Sequence, residues 1–593
     1  MTTRSTGRPH LLLALAAVAV AFAAADTYVV VLALPDMMNG VGIGIDQLQR
    51  AAPIVSGFLL GYVAMLPLIG RIADLHGRIP VLVSCLVLFA AGSLLTTVAY
   101  DLPTLVGGRF LQGVGGGGLV PATLALVADL YPVQRRGVPL GVVSAVQELG
   151  SVLGPLFGAL VLAVADWRAI FLVNLAVGLV LAAAIRLPVL TGREAPARAS
   201  TPGRPDLLGA LLLAVTLLVG AVVFVRPTQL LQDLTWGRLF IPFLPDSWGG
   251  GGRWLTPIGS VAIVAGALLV VRCLTAARPL LDLRGWWRTV READLVGAAL
   301  LALALAGVIL AFATADPKVQ VFSAQGGWYL LGSAVAAVAF VVHLRQSPAP
   351  LVPAGALRRI PAWGSLAVSF FVGAALIAAL IDIPIFARTT VYGDSQLMAA
   401  LVLVRFLVAL PVGAVLGGYL TRTLPAGVVT AGGMLLAAVG FLLMSRWGLT
   451  SLHHGTANAP LLLGGLGFGL ALAPVNAAVL AATDDRDHGL ASALVVVARM
   501  VGMLVGISAL TTIGLRRYYA EQADLPTVRA VCGGGSRCAE FTRLLKVAGT
   551  AQEHTVFAGA AVCALVAGGL ALVLFRGAGT RAIDAGEMLR AAG

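Results

Sequence analysis

The chain is short of charge. Only 11% of its 593 residues are Asp, Glu, Lys or Arg, against 59% hydrophobic, and the mean hydropathy is +0.95. Soluble domains carry about a quarter charged residues, so a water-facing globule is excluded and an all-α polytopic membrane protein is indicated. Catalytic chemistry is equally sparse. The seven His are scattered, with His453 and His454 the one adjacent pair, and no nucleophile elbow, phosphate loop or metal-ligand cluster occurs. An enzyme, a cofactor and a bound metal are therefore not expected. Of the five Cys, Cys85, Cys273 and Cys563 sit in apolar runs as small core residues. Cys532 and Cys538 bracket a polar GGGSR and are disulfide candidates, since two thiols without nearby His fall short of a structural zinc site. The net charge of +13 comes from short basic clusters between apolar runs, not from a continuous basic face. That pattern excludes nucleic-acid binding and fits the cytoplasmic bias of Lys and Arg around membrane spans.

What the chain has in abundance is apolar runs of about 20 residues, the length that crosses the hydrocarbon core. Six fall in residues 1–190, the first too long for a signal-peptide core and carrying Asp26, so it should remain as a span. Residues 191–205 read as a polar, Pro-containing cytoplasmic linker. Within 206–345, DLLGALLLAV from Asp206 resembles DLVGAALLAL from Asp294, and each copy leads to a second apolar run and a Pro-Leu segment, so a helical hairpin is duplicated in tandem. Residues 346–593 supply six more runs and a polar outer loop at 516–553. The total is about sixteen helices, six, four and six, with both termini cytoplasmic. Arg272, Arg278, Arg284, Arg288 and Arg291 fall in the loop between the hairpins, as that orientation requires.

Against this apolar background single charges carry weight. A charge at the bilayer centre costs roughly 2.5–3.5 kcal/mol on insertion scales, so Asp26, alone in AAADTYVVV, marks an ion or substrate pathway, the bland alternative being an acid satisfied by Thr27 or Tyr28. Asp382 in ALIDIPIF occupies the matching position in the second half. Glu148 and Arg499 each lie about three turns past a polar cytoplasmic segment, so helix rise brings them to similar depth, where they could latch the two halves; Arg405 is a second candidate partner for Glu148. Arg109, in RFLQG, is either an intramembrane charge with a function or a snorkelling side chain near a helix end. In GRIADLHGR, Gly70 and Gly77 permit a tight turn, while Asp74 can cap a helix N-terminus or, like Arg78, pair across the bundle. Small residues at Gly150, Gly154 and Gly158 allow close helix approach, with Pro155 as a bend.

In chain order GRIADLHGR, RFLQG and the Gly150–Gly158 segment resemble motifs A, B and C of the major facilitator superfamily, the second implying that its Arg assists proton transfer and the third resembling the drug/proton antiporter branch. The resemblance implies two six-helix bundles, here with about four additional central helices. DTYVVV, QELGSVLGPLFG, LVALPVGAV and VVVARMVGMLVG are closer still to the mycobacterial triacylglycerol and lipoglycan exporters. That resemblance implies a proton-coupled exporter of lipids in the cell membrane. Asp26, Glu148 and Asp382 would couple protons, Arg499, Arg405 and Arg109 would pair with them, and a periplasmic lipid-binding lipoprotein would be the partner. A multidrug/proton antiporter of the same fold is the alternative, and a non-transporting membrane scaffold a third reading.

Overall fold

The computed structural model describes residues 7–43, 48–191, 206–243, 253–277, 279–280, 282–313, 325–392, 395–533 and 538–580. Among them the long elements are helices. The first bundle holds α1 (Gly7–Gly40), α2 (Leu48–His76), α3 (Arg78–Thr97), α4 (Leu102–Leu130), α5 (Gly137–Val164) and α6 (Arg168–Thr191). Two hairpins follow, α7 (Leu207–Val225) with α8 (Pro257–Thr275), then a short α9 (Leu283–Glu292), then α10 (Leu295–Ala313) with α11 (Gly326–Gln346). The second bundle is α12 (Ile360–Thr390), α13 (Gln396–Leu420), α14 (Ala426–Met444), α15 (Asn458–Ala482), α16 (His488–Ala523) and α17 (Ala539–Leu574). Fifteen of these are long and apolar enough to span a membrane, and the 28-residue α5 makes a sixteenth long helix.

Glycine decides how closely the first bundle packs. A β-carbon at Gly113 or Gly117 of α4 would run into the Phe58 or Tyr62 carbonyl of α2, and one at Gly115 into α3 at Cys85 and Phe89. The run Gly115–Gly118 is thus a packing surface, as small residues are between membrane helices.

The two hairpins repeat a hydrogen-bond pattern as well as a sequence. Asp206 accepts from the Gly209 amide, from Arg272 in the last turn of α8 and from the Leu280 amide. Asp294 accepts from the Gly297 amide and from the Leu351 amide, and lies 2.7 Å from His343 in the last turn of α11. In both copies an Asp-Leu-x-Gly start is tied to the end of its own hairpin and to the leucine after a proline. The surroundings differ. α10 packs on α2 and α16, whereas α7 and α8 pack chiefly on each other, and Leu207, Leu211 and Leu218 stand exposed on the outside of the protein.

Two sequence expectations change. Residues 516–553 are mostly helix: α16 and α17 run 36 residues each, about 54 Å at 1.5 Å per residue against a core of about 30 Å, and the Cys532–Cys538 disulfide closes the turn between them. A helix that leaves the membrane becomes polar, which is why hydropathy reads it as loop. The arginine-rich segment between the hairpins is likewise helical over α9, because Asp282 caps it by accepting from the Gly285 amide at 2.8 Å. Arg278 and residues 192–205 of the linker lie outside the described residues.

Candidate functional site

Asp26 is not a lone charge. Its side chain is fully enclosed, and Arg109 from α4 donates to Oδ2 at 2.7 Å. Asn174 from α6 donates to Oδ1 at 2.5 Å and Gln112 donates to the same oxygen at 3.1 Å. Gln112 is itself held, accepting from Arg109 at 2.7 Å and donating to Ser93 on α3 at 2.9 Å. The Arg109 guanidinium lies over the Phe58 ring, 4.4 Å from its centre. Arg109 is 1% exposed, so the snorkelling alternative is excluded. The Thr27 hydroxyl bonds its own backbone, donating to the Ala23 carbonyl, and leaves Asp26 to the other helices. The side chain of Tyr28 lies outside the described residues.

The α5 glycines set the position of α1 around this acid. A β-carbon at Gly150 would strike the Ala21 carbonyl, one at Gly154 the Ala25 carbonyl, and one at Gly158 the Val29 side chain. The helix continues through position 155, and the Pro155 side chain lies outside the described residues.

Between the bundles is a cavity of about 340 Å³. Its walls are largely apolar, with Phe58, Leu59, Leu376, Ile377, Met500 and Leu504 among them, and its polar groups are few: Thr27, Tyr62, Arg109, Gln147, Glu148, Ser151 and Arg499. Glu148 from the first bundle and Arg499 from the second sense each other's charge across this space, and Tyr62 senses both. Neither forms a salt bridge among the described residues, so they face one another across the cavity without being latched together. Gly373 of α12 brings Arg499 to the wall by letting α16 pack against it, since a β-carbon there would meet the Arg499 carbonyl. Arg405 is elsewhere, donating to Asn458 inside the second bundle at 2.9 Å, so the geometry removes it as a partner for Glu148.

One end of the protein is clasped. Asp74 accepts from the Gly489 and Leu490 amides at 2.8 and 2.9 Å, placing a carboxylate of the first bundle on the N-terminus of α16 in the second, where the helix dipole favours it. Arg78 pairs with Asp74 at 2.9 Å and donates to the Asp485 carbonyl at 3.1 Å, and Arg71 pairs with Asp487 at 3.1 Å. Gly70 and Gly489 meet backbone to backbone, while Gly77 takes φ +90°, a left-handed turn that suits glycine. Gly137 and Gly141 of α5 meet Gly418 and Ala414 of α13 in the same way.

Asp382 lies on α12 as Asp26 lies on α1, buried at 3% exposure, but it faces a different group. Its carboxyl is hydrogen-bonded to that of Glu553 on α17, which is equally buried. Sequence reasoning missed Glu553 because it falls at the end of the stretch read as loop. Asn174 was missed because a single amide in an apolar helix has no local signature.

Two helical bundles clasped at one end, with buried charges and a cavity between them, define a polytopic membrane transporter. The comparisons agree: the signature of the Major Facilitator Superfamily matches residues 16–507, and the chain belongs to that family. It is 36% identical over 542 residues to a triacylglyceride transporter of Mycolicibacterium hassiacum, covering 89% of this chain and 84% of that one. To a triacylglyceride transporter of Mycolicibacterium smegmatis it is 34% identical over 588 residues, covering 96% and 88%. Among solved structures, the human organic anion transporter MFSD10 shares the fold, with a TM-score of 0.51 at 15% identity over 96% of this chain and 99% of that one.

Proposed function

We propose that this transporter is a proton-coupled exporter of triacylglycerol or a similarly acylated lipid, with the clasped end and both termini in the cytoplasm. The observation that carries the reading is the cavity: an apolar space whose facing charges, Glu148 and Arg499, belong to opposite bundles. Its substrate class follows from the two mycobacterial relatives named for triacylglyceride.

In this reading Glu148 exchanges its proton directly with the cavity. Asp26 is separated from the cavity by Arg109, the one member of its cluster that also lines it, so a proton reaches Asp26 when that side chain moves aside. A proton on Asp26 would end its ion pair and leave an unpaired guanidinium charge facing the apolar space, which disfavours an apolar occupant. Proton binding at Asp26 and lipid binding in the cavity then exclude one another, which is the requirement for antiport. The clasp at Asp74 and Arg78 holds the cytoplasmic end shut while the cavity exchanges its contents on the other side.

The cavity's size favours one other reading. A volume of about 340 Å³ falls in the ordinary range for small-molecule pockets, and the three chains of a triacylglycerol exceed it, which suits a multidrug/proton antiporter. Proteoliposomes carrying triacylglycerol and ethidium together separate the two. The lipid reading expects triacylglycerol movement driven by a pH gradient and abolished by Asp26→Asn. Gradient-driven ethidium efflux with the lipid left in place would establish the drug antiporter instead.

A further inference from the structure

Between the two hairpins, α9 has the sequence LRGWWRTVRE and a face for each kind of residue. At 100° per residue Leu283, Trp286, Trp287 and Val290 share one arc, and Arg284, Arg288 and Arg291 line one flank of it. It follows the end of α8 and precedes the start of α10, both long enough to span, so it lies along the membrane surface. Trp286 is 44% and Trp287 56% exposed, as side chains entering lipid would be. The helix also touches the clasp. Thr289 is hydrogen-bonded to His76, the last residue of α2, at 2.9 Å, and Glu292 lies 3.8 Å from the same imidazole. A cavity of about 550 Å³ opens between α9 and the ends of α2 and α3, with Arg288 and Thr289 on one wall and His76, Val81 and Ser84 on the other.

A helix with Trp on its apolar side and three Arg beside them, held at the surface by spans on both flanks, is matched to one partner. That partner is a bilayer leaflet carrying anionic headgroups, whose negative surface potential attracts each Arg. We propose that α9 reads anionic phospholipid: Trp286 and Trp287 seat it in the interface, and Arg284, Arg288 and Arg291 bind the lipid phosphates. Its contact with His76 carries that binding to the end of α2, six residues from Gly70, which meets Gly489 of the opposite bundle. The inserted hairpins thereby make the clasp responsive to the composition of the leaflet around it.

The test uses the full chain in nanodiscs of phosphatidylcholine alone or mixed with phosphatidylglycerol, read by amide hydrogen exchange, and needs neither cargo nor a proton gradient. Its outcome is therefore separate from that of the transport assay. In wild type, phosphatidylglycerol is expected to slow exchange across residues 283–292 by about five-fold or more, and to slow residues 70–78 as well. The triple variant Arg284→Gln, Arg288→Gln, Arg291→Gln should lose both responses, with unchanged exchange in α4 showing that it folds. The corresponding Lys variant should keep the response of α9, because leaflet charge needs no forked donor. Equal wild-type exchange in the two lipids, or full protection in the Gln variant, overturns the proposal. Protection confined to 283–292 overturns the link to the clasp.

Discussion

Asp26 and Asp382 stand on the first helix of their respective bundles, and the fold treats them alike: both are buried, and both meet the last helix of their own bundle. The chemistry offered to them is opposite. Asp26 is given a guanidinium by α4 and an amide by α6, so every donor it needs is present while it is ionised. Asp382 is given a second carboxyl by α17, and two ionised carboxylates are acceptors only, so neither offers the other a donor unless one of them carries a proton. One Glu553 oxygen has no partner among the described residues. The bundles thus repeat a backbone and break its electrostatics. The first bundle holds a charge in balance beside the cavity, while the second holds its acids away from it, with Ile381 rather than Asp382 on the cavity wall.

If that contrast is right, the two sites respond unequally to loss of a partner. Arg109→Ala leaves Asp26 enclosed without its counter-charge, and breaking a buried pair from one side costs about 3–5 kcal/mol. A fall in thermal stability of that size is expected in detergent, with loss of transport. Asp26→Asn added to Arg109→Ala should restore much of the stability and none of the transport. Equal stability of the single and double variants would show that the pair is not what Arg109 contributes.

Asn174→Ala removes one donor and leaves two. Hydrogen bonds to charged groups are worth about 1.5–3 kcal/mol, so a smaller loss of thermal stability is expected, together with a change in the pH dependence of transport but not its abolition. An effect as large as that of Arg109→Ala would mean that Asn174, not Arg109, is the main support of the acid.

How much of this could be read beforehand depended on whether a residue's signal was local. Membrane spans are local: a run of about 20 apolar residues declares itself, and the division into six, four and six follows from run length and the Asp-Leu-x-Gly repeat. Asp74 on a helix N-terminus was legible as chemistry, but not which N-terminus, because Gly489 is 415 residues away. The partners of Asp26 were invisible for the same reason, Arg109 and Asn174 being 83 and 148 residues distant and set by helix rotation. Glu148 and Arg499 were matched by depth, which rise per residue supplies, while their separation across a cavity depends on how the bundles are tilted. Arg405 satisfied the same depth argument and went to Asn458 instead. In α9 and the polar ends of α16 and α17, helix outside the membrane core reads as loop. The signal available there was the spacing of Arg284, Arg288 and Arg291, not hydropathy.

The smallest expected effect is the one that most sharpens the contrast. Glu553→Gln replaces an acid with a group of the same shape that can donate to Asp382 without first binding a proton. Neither the packing nor the hydrogen bond need be lost, so thermal stability at neutral pH should stay within about 1 kcal/mol of wild type. What should change is its pH dependence. A wild-type pair that holds a proton loses its hydrogen bond when that proton leaves at high pH, whereas Gln keeps donating, so the variant should be the more stable of the two in alkaline solution. Unfolding followed across a pH series checks this. A large loss at neutral pH would show that Glu553 is ionised and answering to a cation, which would make the second bundle a copy of the first in charge as well as in backbone.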